Sequence, residues 1–107
     1  MRKVLKMSAD KKQYDQKLYV VMHPARKKIL FSLSNSDSYA SKLADELDIN
    51  AKVVQFHLDI LQKYGLVRGA FDLENPTEGR PVAVRRFKLT AAGQDMIDIV
   101  NSIPRPP

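Results

Sequence analysis

A mainly α-helical domain carrying one small β-hairpin is the fold class that the sequence predicts, on three observations. Apolar residues recur three and four apart in successive stretches up to Leu61, and again after Thr90. Between these stretches, two runs rich in Val, Phe and Leu, residues 66–74 and 82–89, flank the turn-forming Asn75-Pro76-Thr77-Glu78-Gly79-Arg80-Pro81. The chain has 107 residues, 44% hydrophobic and 28% charged, with no cysteine, so one core must hold it without disulfides.

Each element has a local reason. Residues 1–12 form a basic arm with too few apolar side chains to pack, and a flexible arm is expected there. Tyr14, Leu18, Val21 and Met22 then follow near-helical spacing, up to a break before His23-Pro24. Pro24 suits the first turn of a second helix, where its missing N–H costs nothing, and Ile29, Leu30 and Leu33 form the inward stripe. The Ser34-Asn35-Ser36-Asp37-Ser38 cluster ends that helix as a loop. A short helix over 40–47 turns Leu43, Ala44 and Leu47 inward.

Asp48-Ile49-Asn50 makes a three-residue turn, with Asn50 placed to cap a helix over 51–64. Val54, Leu58 and Leu61 line that helix's inner face, and Gly65 supplies the left-handed residue that closes it. Two helices joined so tightly outline a helix-turn-helix. After the hairpin, Thr90 caps a last helix whose Ala92, Met96, Val100 and Ile103 share one face. The domain is thus expected over 13–103, with a proline-rich tail over 104–107.

This order of elements is that of a winged helix-turn-helix, and four stretches resemble the ArsR-like branch of the winged-helix transcription regulators of bacteria and archaea. They are His23-Pro24-Ala25-Arg26-Lys27-Lys28-Ile29-Leu30; Lys42-Leu43-Ala44-Asp45-Glu46-Leu47; Val54-Gln55-Phe56-His57-Leu58-Asp59-Ile60-Leu61 running into Gly65-Leu66-Val67; and Glu78-Gly79-Arg80 leading to Phe87-Lys88-Leu89-Thr90-Ala91-Ala92-Gly93. The resemblance implies a homodimer that binds double-stranded DNA at a pseudo-palindromic site. It places the helix over 51–64 in the major groove and the hairpin, the wing, on flanking DNA.

Carried onto this chain, that implies DNA contacts from Asn50, Lys52, Gln55 and Phe56, and from Arg80, Arg85 and Arg86 of the wing. Gln55 has the amide to pair with adenine N6 and N7 together, whereas Lys52 suits a phosphate. Arg80 at the wing tip suits the negative potential of a narrow minor groove. The terminal helices are expected to build the dimer through Leu18, Ala92, Met96, Val100 and Ile103.

Charge agrees with a polyanionic partner. The net charge is +6, and residues 1–30 hold nine Lys and Arg against two acids, Arg2, Lys3, Lys6, Lys11 and Lys12 among them. Two features point elsewhere. Val53, Phe56 and Ile60 form a second apolar stripe beside the acidic Asp59. The alternative is therefore a winged-helix protein-interaction module that docks a partner on that stripe.

No metal or other cofactor is expected: there is no cysteine, and the only histidines, His23 and His57, lack ligand spacing. His57 is expected to serve as a hydrogen-bonding residue and His23 to start a helix. Nothing resembles a phosphate loop, a nucleophile elbow or a Ser/His/Asp set, which argues against an enzyme. No apolar run suits a membrane span or a signal peptide, so the expected location is the cytoplasm. The sequence names no small-molecule effector.

Overall fold

The computed structural model describes residues 16–74 and 79–103. The arm expected over 1–12, the turn residues 75–78 and the tail over 104–107 lie outside the described residues. Residues 16–21 are helical (α1), followed by α2 (Pro24–Asn35), α3 (Ala40–Leu47), α4 (Ala51–Lys63), β1 (Val67–Glu74), β2 (Val82–Leu89) and α5 (Ala91–Ser102). The strands pair antiparallel from Val67 opposite Leu89 to Glu74 opposite Val82.

The caps are made by the residues whose chemistry suits them. His23 accepts the Ala25 N–H on Nδ1 at 3.1 Å, with Pro24 opening α2. Asn50 Oδ1 accepts the Lys52 N–H at 2.8 Å, so the expected cap of α4 is present. Asp48 takes the left-handed conformation that turns α3 into α4, at φ 54°. Short polar side chains bear that conformation better than bulky ones.

Boundaries move by one or two residues, each for a local reason. α2 runs through Ser34, whose hydroxyl donates to the Phe31 carbonyl at 2.6 Å instead of breaking the helix. Ser38 exchanges two backbone hydrogen bonds with Phe87, at 3.1 and 2.7 Å, so the serine-rich loop adds a one-residue bridge to β2. The first strand begins at Val67, not Leu66, because the Leu66 N–H is spent on the Leu61 carbonyl at 2.9 Å, closing α4. Gly65 is left-handed there, as its place after the helix requires, at φ 74°.

The core draws on every element: Val20 and Val21; Ile29, Leu30 and Leu33; Leu43; Val54, Leu58 and Leu61; Leu66, Val67 and Phe87; Met96 and Ile97. One expectation is corrected here. Met96 is 2% exposed and belongs to this core, with Ala92 and Val100 half-buried against it. Met96 therefore looks into its own chain, because α5 folds back onto the hairpin base and needs an apolar side there.

Thr90 fastens α5 at that base. Its hydroxyl donates to the Gly65 carbonyl at 2.7 Å and accepts the Gly93 N–H at 3.0 Å, while its own N–H donates to the Leu66 carbonyl at 3.2 Å. The α4–β1 turn, the end of β2 and the start of α5 become one joint. That joint sets the direction in which the wing leaves the core.

Candidate nucleic-acid interface

α4 presents two faces because its core residues fall at one side. Val54, Leu58 and Leu61 point in; Asn50, Ala51, Lys52, Val53, Phe56 and Asp59 are exposed, and Gln55 is half-buried. Lys52 and Gln55 border an open groove of about 370 Å³ shared with Tyr39, Ala40, Ser41, Ala51, Val84 and Arg85. The first turns of α3 and α4 and the second strand of the wing thus meet at one surface.

Gln55 is oriented along its own helix: Nε2 donates to Asp59 Oδ1 at 2.8 Å. Asp59 in turn lies 3.7 Å from Arg85 Nη1, and Arg85 Nη2 donates to Gln62 Oε1 at 2.8 Å. The Arg85 guanidinium also lies over the Phe87 ring, 5.1 Å from its centroid. Arg85 therefore braces the wing against α4, and the acid next to the apolar stripe is one of its anchors. Sequence reading missed Asp59 and Gln62 in that role, although the Gln55–Asp59 spacing of four was visible.

The neighbouring wing residues point the other way, as strand alternation requires. Arg86 Nε donates to Asp72 Oδ2 at 3.2 Å and its guanidinium stands 6.0 Å from the Tyr39 ring centroid. Lys88 Nζ lies 3.9 Å from Asp37. Arg80 is exposed beside Gly79, which adopts φ 112°. The outer half of the wing also exposes Phe71, 80% accessible, with Leu73 and Val82.

The second apolar stripe divides. Phe56 is 59% exposed and Val53 42%, whereas Ile60 is half-buried against the core. The structure thus brings Lys52, Gln55 and Arg85 together, sets Phe56 on the outer side of the same helix, and leaves Leu18 half-buried and Ile103 exposed at the two ends of the chain. Among the described residues no cluster of three or more metal-ligating side chains occurs, and no helix is long and apolar enough to cross a membrane.

The histidines, distant in sequence, meet in the fold, with ring centroids 4.6 Å apart. His57 is buried and accepts the Arg26 Nε–H on Nδ1 at 3.2 Å. Its pKa lies below the ordinary histidine value, first because burial disfavours the charged ring and then because His23 and Arg26 stand close.

A sequence profile described as "Bacterial regulatory protein, arsR family" matches residues 23–68, from the cap of α2 to the start of the wing. Over those residues the helix-turn-helix of this chain is similar to that of the ArsR family. Among solved structures, the chain is similar to reduced HlyU from Vibrio cholerae, with a TM-score of 0.70 and 18% identity over 90% of this chain and 93% of that one. It is also similar to the transcriptional repressor BigR from Xylella fastidiosa, at 0.66 and 19%, over 95% and 91%.

A third similar structure is the homodimeric winged helix-turn-helix DNA-binding domain of a possible ArsR-family transcriptional regulator from Mycobacterium bovis, at 0.69 and 15%, over 90% and 82%. At these identities the likeness speaks for the fold. No curated protein sequence matches the chain. The matching profile is described as a regulatory protein, and BigR, one of the similar structures, as a transcriptional repressor.

Proposed function

We propose that this ArsR-type chain acts in the cytoplasm as a homodimeric transcription regulator on a pseudo-palindromic DNA site, with α4 in the major groove and the wing on the flanking duplex. The observation that carries the reading is the single groove in which Lys52 and Gln55 of α4 stand beside Arg85 of the wing. Two helix N-termini border that groove, and the positive ends of their dipoles favour phosphate.

Gln55 keeps its reading ability, since one amide proton serves Asp59 and the second can meet adenine N7 while Oε1 accepts from N6. Asn50, whose side chain caps α4, contributes to the approach through its position. Lys52, Arg80 and Arg86 supply phosphate or minor-groove charge, and Phe56 can meet a thymine methyl. Leu18, Ala92, Val100 and Ile103 remain in the dimer interface; Met96 acts behind them in the core.

Selection of DNA from a random pool tests the reading, and enrichment of a two-fold-related sequence is the expected result. The exposure of Phe56 and Val53 supports one second reading, a protein-interaction module that docks a partner on that stripe. Under it no duplex is enriched, and Phe56→Ala removes a protein contact.

A further inference from the structure

His57 is the only buried titratable side chain among the described residues, and it stands on the inner side of the helix that carries Lys52, Gln55 and Phe56. A guanidinium can only donate, so the 3.2 Å bond from Arg26 Nε requires His57 Nδ1 to be unprotonated. The same Arg26 donates from Nη1 to the Val20 carbonyl at 3.1 Å. One half-buried side chain of α2 therefore clasps the end of α1 to the middle of α4.

The groups around the ring are uniformly unfriendly to a second proton. α2 presents His23 and Arg26, and α1 presents the Val20 carbonyl, which Arg26 occupies. Phe56, next along α4, stands edge-on 5.4 Å away. Among the described residues no carboxylate bonds to the clasp. Asp59 of α4 serves Gln55 and Arg85, Glu46 of α3 accepts from Ser32, and Asp72 of β1 and Asp37 before α3 serve Arg86 and Lys88 of β2.

We propose that Arg26 is the residue that positions α4 for DNA, acting through the neutral ring of His57, and that a proton on His57 releases α4. This rests on the DNA-binding reading above. An imidazolium has two N–H donors and no acceptor, so protonation turns the Arg26–His57 bond into two facing donors and sets a buried cation against a half-buried one. Burial and the nearness of His23 and Arg26 hold the ring below the ordinary histidine value, so it is neutral at neutral pH and the clasp is closed there.

Acid acts on this clasp with a sign opposite to that of ordinary electrostatics. A basic protein gains positive charge on acidification and binds a polyanion more tightly; this chain loses affinity. Where binding requires the neutral ring, the loss approaches about tenfold per pH unit in each subunit once the pH is below the ring's own pKa.

The test compares wild type, Arg26→Gln and His57→Gln at about pH 7.5, above ordinary histidine titration, and at an acid pH set about one unit below the His57 ring pKa of the wild type. Without DNA, ring NMR of the wild type should show His57 titrating below the usual histidine range, with amide exchange in α4 rising as it does so. In Arg26→Gln the ring pKa should move back up. With the duplex enriched from a random pool, wild type should lose about tenfold or more in affinity at a pH about one unit below the ring pKa that the NMR titration gives.

Arg26→Gln should bind weakly at both pH values with its salt slope unchanged, since a positioning residue touches no phosphate. His57→Gln keeps a neutral acceptor for Arg26, so it should bind like wild type at neutral pH and lose the acid response. The proposal is overturned if acid leaves wild-type affinity constant or raises it, if His57→Gln keeps the acid response, or if Arg26→Gln changes the salt slope. A selection that enriches no duplex rejects the DNA reading instead, and the ring titration with α4 exchange still decides whether the clasp exists.

Discussion

Replacing Gly93 by alanine adds one methyl group where the first turn of α5 crosses the start of the hairpin. A Cβ there falls 2.1 Å from the Leu66 carbonyl oxygen and 2.6 Å from Leu89 Cδ1. Carbon and carbonyl oxygen settle at roughly 3.3 Å or more, so the helix must retreat by about 1 Å. The obstructing atom is backbone, and it is the acceptor of the Thr90 N–H, so it cannot move aside without disturbing the cap of α5.

Overpacking of this kind costs about 1–3 kcal/mol, and a weakened buried backbone hydrogen bond about 1 kcal/mol more. Against this, alanine gains about 1 kcal/mol of helix propensity over glycine. Steric cost wins, and a net loss of about 2 kcal/mol is expected. Urea unfolding should show a lower midpoint with an unchanged slope, and Tm should fall by about 8–16 °C in a domain of this size. Equal or higher stability in Gly93→Ala would mean that the joint yields and that propensity outweighs packing. Gly65→Ala is the contrast, since nothing lies within 4 Å but φ is +74°; its cost of about 1–2 kcal/mol is conformational.

The remaining expectations concern charge, interface and pH. Met96→Lys should destabilise the fold by several kcal/mol in unfolding experiments, because it buries an unpaired ammonium, whereas Ile103→Lys should fold normally and weaken association in sedimentation. A folded Met96→Lys monomer of wild-type stability would restore that residue to the interface. Gln55→Ala should lose roughly 1–3 kcal/mol on the preferred duplex and little on random DNA, while Lys52→Ala should lose on both and lower the salt slope by about 2 in a dimer. Because the folded-state pKa of His57 is depressed, the unfolded chain binds more protons as the pH drops. Stability should therefore be unaffected by this group well above pH 6.5 and fall below it, until the ring is protonated in the folded state too. Thermal melts that are flat from pH 7.5 to about 5, or a His57→Gln variant with the same acid loss, would contradict that.

What the linear chain determines here is local. Helix periodicity, Pro24 at a helix start, the Asn50 and Thr90 caps, the left-handed Gly65 and the two β-rich runs each depend on residues within a few positions of one another, so spacing alone exposes them. The candidate groove is half legible for the same reason: the outward positions of α4 follow from its inward ones, but their union with Arg85 depends on where the wing folds.

Only the tertiary structure decides which of two apolar faces a helix buries. Met96 reads as an interface residue, yet it is enclosed, and Phe56, which reads as a DNA or protein contact, stands out; packing partners are set by α5 closing on the hairpin base and by Thr90, Gly65 and Gly93 meeting there. The same long-range approach turns Asp59 from a repellent acid into an anchor for Arg85 and brings Arg26, 31 residues away, onto His57. Such pairs carry no periodic signature. Their energy comes from desolvation and charge at contact distance, which exists only once the chain has folded.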